Sequence, residues 1–176
     1  MSFTSLTFSP VSSDVDCPPK DIYILELARA GEMHDKAAFK NSPEDPDIIN
    51  VQSKWDFTIV DFEFDPDVDD KDWNGVTVSD YLVFFKKMPD GAVRETWKDE
   101  RSNAYKFIMA FLGRKPEDGE EVDPEEFVGK RIKATVEPKA SGWPKITGPT
   151  YHKVKKRRAA AVTEDDTDEN PYKMAG

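Results

Sequence analysis

Ser102-Asn103-Ala104-Tyr105-Lys106-Phe107-Ile108-Met109-Ala110-Phe111-Leu112-Gly113 is the stretch on which the fold turns. Ala104, Phe107, Ile108, Phe111 and Leu112 recur at i, i+3, i+4, i+7 and i+8, the spacing that gathers apolar side chains on one face of an α-helix. Ser102 is placed to cap the first turn, because a serine hydroxyl accepts one of the orphan amides there, and Gly113 supplies the left-handed residue at which helices stop. A single amphipathic helix must dock its apolar face on something else. What flanks it is strand.

Upstream, Asp21-Ile22-Tyr23-Ile24-Leu25-Glu26-Leu27 is a β-branched and aromatic run of strand length, the first strand. Residues 30–50 are polar, carry Pro43 and Pro46, and read as a long connection with a helical turn near residues 35–39. Alternation returns over residues 51–64. Val51, Ser53, Trp55, Phe57 and Ile59 share one face and Val60, Phe62 and Phe64 the other, so a second strand is expected with a bulge near Ile59-Val60. An acidic stretch, residues 65–72, and an Asn74-Gly75 turn precede a third strand over residues 76–86. The centre of this strand, Tyr81-Leu82-Val83-Phe84-Phe85, is apolar on both faces, so one face is either covered or presented to a ligand. Met88-Pro89-Asp90-Gly91 is a turn, and residues 92–97 suit a short hairpin return.

Downstream, a polar acidic connector leads to Phe127-Val128-Gly129. Residues 131–137 then alternate and are expected to pair with residues 144–154 through a turn at Ala140-Ser141-Gly142. The order is three strands, one helix, two strands. That succession matches a mainly-β, five-stranded OB-like barrel with its helix between strands three and four. The expected organisation is an N-terminal arm over residues 1–19, a barrel over 20–154, and a flexible basic-then-acidic tail over 155–176.

The chain has 176 residues, 38% of them hydrophobic and 11% aromatic, enough large apolar surface to offset the entropy of ordering a single domain. No run approaches the roughly 20 apolar residues that span a bilayer, and the N-terminus lacks a basic-then-apolar signal pattern, so a soluble cytoplasmic protein without a membrane partner is expected. Cys17 is the one cysteine, which leaves no intramolecular disulfide and no cysteine metal cage.

The formal net charge of -10 argues against a polyanionic partner, but the distribution argues for one. Residues 1–85 carry 6 basic and 18 acidic side chains, whereas residues 86–115 carry 8 and 4 and residues 129–158 carry 10 and 1. Positive charge therefore gathers on the end of the third strand, the helix and the last hairpin. Lys86, Lys87, Arg131, Lys133, Lys139 and Lys145 are the candidates to line one groove and follow phosphates. Aromatics interleave with them: Tyr81, Phe85, Trp143 and Tyr151 are the candidates to stack bases, whereas Trp55, Phe57 and Phe84 read as core. For any one of these lysines a solvated surface is the simpler reading, and for the aromatics, packing; the hypothesis rests on the cluster.

Lys153-Val154-Lys155-Lys156-Arg157-Arg158 gives way to Thr163-Glu164-Asp165-Asp166-Thr167-Asp168-Glu169. Such a tail can occupy a basic groove until a polyanion displaces it, or recruit partner proteins, or merely solubilise the chain.

Phosphate-loop, dinucleotide, zinc-protease and nucleophile-elbow signatures are absent, and no cofactor is expected. His34 and His152 sit far apart and suggest no zinc site. Asp65, Asp67 and Asp69 open like a calcium loop, but Asp70 stands where glycine is needed and Val76 where a bidentate glutamate is needed. A solvated acidic loop is the simpler reading.

The succession from Ser102 to Gly113, then Asp123 to Phe127-Val128-Gly129-Lys130-Arg131, then the hairpin to Tyr151, resembles the C-terminal half of bacteriophage-encoded OB-fold single-stranded DNA-binding proteins with acidic C-terminal tails. The resemblance covers about residues 20–170 in element order and residues 112–133 at motif level. It implies a non-enzymatic protein of phage replication or recombination, in the host cytoplasm, binding single-stranded DNA and recruiting replication or recombination proteins through its tail. The tip departs from bacterial-type tails, which end in a Pro-Phe pair, since Pro171-Tyr172 is followed here by Lys173-Met174-Ala175-Gly176. Two other readings stand beside it. One is a protein-interaction or assembly module, or a homodimer, that uses the apolar face of the third strand; the other is a hydrolase holding a metal in the acidic loop.

Overall fold

The computed structural model describes residues 17–153. The arm before residue 17 and the tail from residue 154 onward, with the readings attached to them, lie outside the described residues. Among the described residues, seven strands and one α-helix follow in order: β1 (Asp21–Ala30), β2 (His34–Ala37), β3 (Ile49–Val60), β4 (Thr77–Lys87), β5 (Val93–Glu95), α1 (Asn103–Leu112), β6 (Arg131–Pro138) and β7 (Pro144–Tyr151). All ladders are antiparallel, and the strands form one sheet in the order β5-β4-β3-β1-β6-β7 with β2 on the edge of β3. The sheet curls into a half-barrel. Its two sides approach where β4 runs beside β7, with no ladder joining them among the described residues.

β3 is the spine. One of its edges pairs with β4 along nearly its whole length, and the other is shared by β1 over residues 55–60 and by β2 over residues 49–52. The switch between them lies at Gly31, whose amide donates to the Lys54 carbonyl at 2.8 Å and whose missing side chain lets that oxygen approach; a Cβ there would lie 2.7 Å from it. Period-two alternation sends Ser53, Trp55, Phe57 and Ile59 inward, all essentially inaccessible to solvent. The indole of Trp55 is ringed by Phe57, Phe84, Phe107, Phe111 and Phe127 at centroid distances of 5.9 to 6.4 Å, an aromatic cluster typical of tilted and edge contacts.

Two of those rings come from α1. The Ser102 hydroxyl accepts the Tyr105 amide at 3.1 Å, and Gly113 ends the helix at φ 72 with its own amide bonded to the Met109 carbonyl. Ala104, Phe107, Ile108 and Phe111 are buried, so the face read from the periodicity is the face that plugs the half-barrel. Tyr151 completes the seat: its ring lies against Gly113, where a Cβ would come within 2.8 Å of ring carbons.

Several expectations are corrected. Residues 34–37 form a strand, not a helical turn, because they pair with residues 49–52 of β3. The second strand ends at Val60 rather than Phe64: Asp61 takes φ 53, and the Phe62 amide donates to the Asn74 side chain instead of to a ladder. No bulge sits at Ile59-Val60. The register shifts lie elsewhere: Val51 pairs with Phe85 but Gln52 with Val83, leaving Phe84 as the extra residue, and Phe57 pairs with Leu27 but Asp56 with Arg29, leaving Ala28. The short return over residues 92–97 is present as β5 followed by a 3-10 turn, Thr96–Lys98. No helix among the described residues is long and apolar enough to cross a membrane.

Candidate nucleic-acid interface

The outer face of β4 is where the doubly apolar third strand resolves. Leu82 and Phe84 turn inward and are buried, whereas Tyr81 on the opposite face is half-exposed. Val83 and Phe85 are half-covered, and Phe85 packs against the core rather than standing free. Tyr81 is held from one side by β2, with the His34 ring edge-on at 6.1 Å and the Lys36 ammonium 5.8 Å from its centroid. Its other surroundings are two grooves.

The first, of about 370 Å3, runs over the edge of β4 to the β6–β7 turn and is lined by Lys54, Thr77, Ser79, Asp80, Tyr81, Lys139, Trp143 and Pro144. Trp143 stands in that turn, which is closed by the Lys139 amide donating to the Trp143 carbonyl at 2.8 Å, and is 55% exposed. A ring this accessible beside a hydrogen-bonded turn is open to stacking. The second groove, also about 370 Å3, lies on the far side of Tyr81 and brings in Asn50, Lys86 and Arg101, the last gripped by Asp99 of the same groove at 3.1 Å. Tyr81 thus joins a track with Trp143 and Lys139 at one end and Lys86 and Arg101 at the other.

The cations differ in how much charge they have to give. Lys86, Lys133, Lys139 and Lys145 make no ion pair among the described residues, whereas Lys87 is bound to Asp35 at 2.6 Å. Arg131 is doubly committed, to Glu26 at 2.9 Å and Asp61 at 2.7 Å, and its pKa is raised by the Glu26 carboxylate. The β6–β7 register places Arg131 and Lys133 at one end of the hairpin with Tyr151 and Thr150, and Pro138 at the other end with Pro144. The ten candidates therefore divide. Tyr81, Lys139 and Trp143 share one groove and Lys86 the adjoining one; Lys145 is close enough to act electrostatically on Asp80 in the floor. Arg131, Lys133 and Tyr151 lie at the opposite end of the hairpin, Lys87 is at the tip of β4, and Phe85 is on the core.

Four groups at the track were not singled out by sequence: His34, Lys36, Lys54 and Asp80. Lys54 sits across the ladder from Tyr81, on the outward face between buried Ser53 and Trp55. Its partner is Asp56, whose carboxylate also takes the Ser79 hydroxyl at 2.6 Å and Arg29 at 3.1 Å. Burial pushes the Asp56 carboxyl up, but the Ser79 bond and the two cations outweigh it and hold it below the usual range. Asp80 is the converse. It lies opposite Trp55, on the inward-turning face, and burial raises its pKa against the opposing pull of the Tyr81 amide, Lys139 and Lys145.

The acidic loop has a local use for its carboxylates. Asp65 accepts the Asp67 amide at 3.0 Å and Asp69 accepts the Asp65 amide at 2.9 Å, turning the chain. Among the described residues no group of three or more histidine, cysteine or carboxylate side chains is placed to hold a metal ion.

Comparison of the chain with protein-family models, with curated proteins and with solved structures finds no match.

Proposed function

We propose that this chain is a single-stranded DNA-binding protein of OB-like architecture, non-enzymatic, of the kind that serves phage replication or recombination. The observation that carries the reading is the shared groove of Tyr81 and Trp143, with Lys139 beside them and Lys54 shared with Asp56. Single-strand binders combine stacking platforms, which accept any base, with cations that follow the backbone, and this groove combines both. The architecture supports it as well. Leaving aside β2 and β5, the strands β1, β3, β4, β6 and β7, with α1 between β4 and β6, follow the chain order of an OB barrel, whose ligand face is formed by its second and third strands and the loops at either side. Here those are β3 and β4, the β2 excursion and the β6–β7 turn.

The acidic residues 164–169 act in this reading as a self-screening element and as a docking sequence for replication or recombination proteins. A chain ending at Ala161 is expected to bind DNA more tightly than the full chain.

The test is tryptophan emission during titration with unlabelled oligo-dT at low salt. Of the four tryptophans, Trp143 is the exposed one, Trp97 is partly covered, and Trp55 and Trp73 are buried. Quenching in the full chain that disappears in Trp143→Phe supports the reading; unchanged emission with no binding by gel shift overturns it.

A further inference from the structure

A cavity of about 890 Å3 opens between the start of α1 and the connector that follows it, remote in sequence from the β4 track. Its apolar lining comes from Trp97, Tyr105 and Val122. Its rim is acidic, and the cations that reach it are already matched: Lys98 pairs with Glu95 at 2.6 Å, Lys115 with Glu100 at 2.9 Å, and nearby Arg114 grips Glu120 through two bonds. Glu117, Asp118 and Glu121 are exposed and make no ion pair among the described residues. The Lys98 ammonium already lies 5.2 Å from the Trp97 ring centroid and Glu117 acts electrostatically on Arg114, so among the described residues Asp118 and Glu121 are the carboxylates left without a cation beside the apolar lining; a basic segment suits them, its aliphatic stems on the apolar surface and its charged heads at the rim.

The chain carries such a segment, Lys155-Lys156-Arg157-Arg158, shortly after the end of β7. Tyr151 packs on Gly113, and the cavity wall begins at Lys115, two positions further on. From Lys153, the last described residue, residues 155–158 reach at most about 7 to 18 Å along the chain. We infer that residues 155–158 dock in this acidic-rimmed cavity of their own chain. So short a tether holds the basic run at an effective concentration on the order of millimolar, which a second copy or another protein does not match at ordinary concentrations. Docking withholds four cations from any polyanion, so the cavity is a built-in competitor for them. The inference stands independently of DNA binding.

Zero-length carbodiimide crosslinking of the full chain at low ionic strength, followed by peptide mapping, tests it. Amide links from Lys155 or Lys156 to Glu117, Asp118 or Glu121 are expected, at a yield unchanged on tenfold dilution of the protein and several-fold lower when added salt screens the attraction. The Lys115 to Glu100 and Lys98 to Glu95 links serve as internal controls. Glu117→Lys with Glu121→Lys, both at exposed positions, is expected to abolish the tail links and keep the far-ultraviolet circular dichroism. Control links without tail links, or tail links that fade on dilution and so report a second copy, would overturn the inference.

Discussion

Tyr81 on β4 and Trp143 in the β6–β7 turn line one groove although the helix and the whole acidic connector separate them in sequence. Both rings are about half-exposed, so neither is required to fill the core. Tyr81→Ala and Trp143→Ala are each expected to weaken oligo-dT binding by roughly 1 to 3 kcal/mol, about 5- to 150-fold, with little change in melting temperature. Phe85→Ala is expected to behave differently. Because Phe85 packs on the core, its truncation lowers stability, read by denaturant unfolding, as well as any affinity.

Charge pairing separates the cations in the same way. Lys139 makes no ion pair among the described residues and lines the groove, whereas Arg131 is held by Glu26 and Asp61. Lys139→Ala is expected to flatten the dependence of log affinity on log salt by about 0.7, the increment for one single-strand phosphate. Arg131→Ala is expected to leave that slope unchanged and to lower stability modestly. Titrations at several salt concentrations decide between them.

Asp80 offers a pH signature. Burial raises its pKa, so the folded state takes up a proton more readily than the unfolded chain. The stability it contributes is fully present below the unfolded pKa and lost as pH rises through the folded one, which leaves ionised Asp80 a cost at neutral pH. Asp80→Asn is therefore expected to raise the melting temperature at pH 7, with the gain shrinking as pH falls through the carboxylate range. It also removes a negative charge from the groove, so affinity for oligo-dT at pH 7 is expected to rise. A lower melting temperature at pH 7 would contradict this account of Asp80.

The helix stop is a second stability test. Gly113 combines φ 72 with the close approach of the Tyr151 ring. Gly113→Ala is expected to cost about 1 to 2 kcal/mol for the left-handed backbone alone, plus the displacement of the ring. Combining it with Tyr151→Ala is expected to relieve the steric part and leave the backbone part, a non-additivity that a double-mutant cycle of unfolding free energies reads directly.

Local signals made α1 legible: a cap at Ser102, a 3.6-residue period and a stop at Gly113 all act within one short segment. β2 was not legible, because His34-Asp35-Lys36-Ala37 is exposed throughout and has no apolar face for a pattern to reveal. Only its ladder with β3 makes it a strand. The site shows the same division. The composition of the last hairpin points to Trp143, Arg131 and Tyr151 alike, but only the hairpin register shows that Arg131 and Tyr151 lie at the end away from Trp143. Lys54 carried a signal, since alternation places it outward beside Trp55. Knowing that it faces Tyr81 requires the β3–β4 register, which no local pattern encodes.

In the proposed reading the Tyr81 and Trp143 groove holds single-stranded DNA. Its most direct test is the anisotropy of labelled oligo-dT titrated with the full chain and with the Tyr81→Ala/Trp143→Ala double variant, at low and at physiological salt. Binding by the full chain is expected to weaken steeply with salt and to be largely lost in a double variant that remains folded. No binding by the full chain at low salt, or equal binding by the folded double variant, would contradict it.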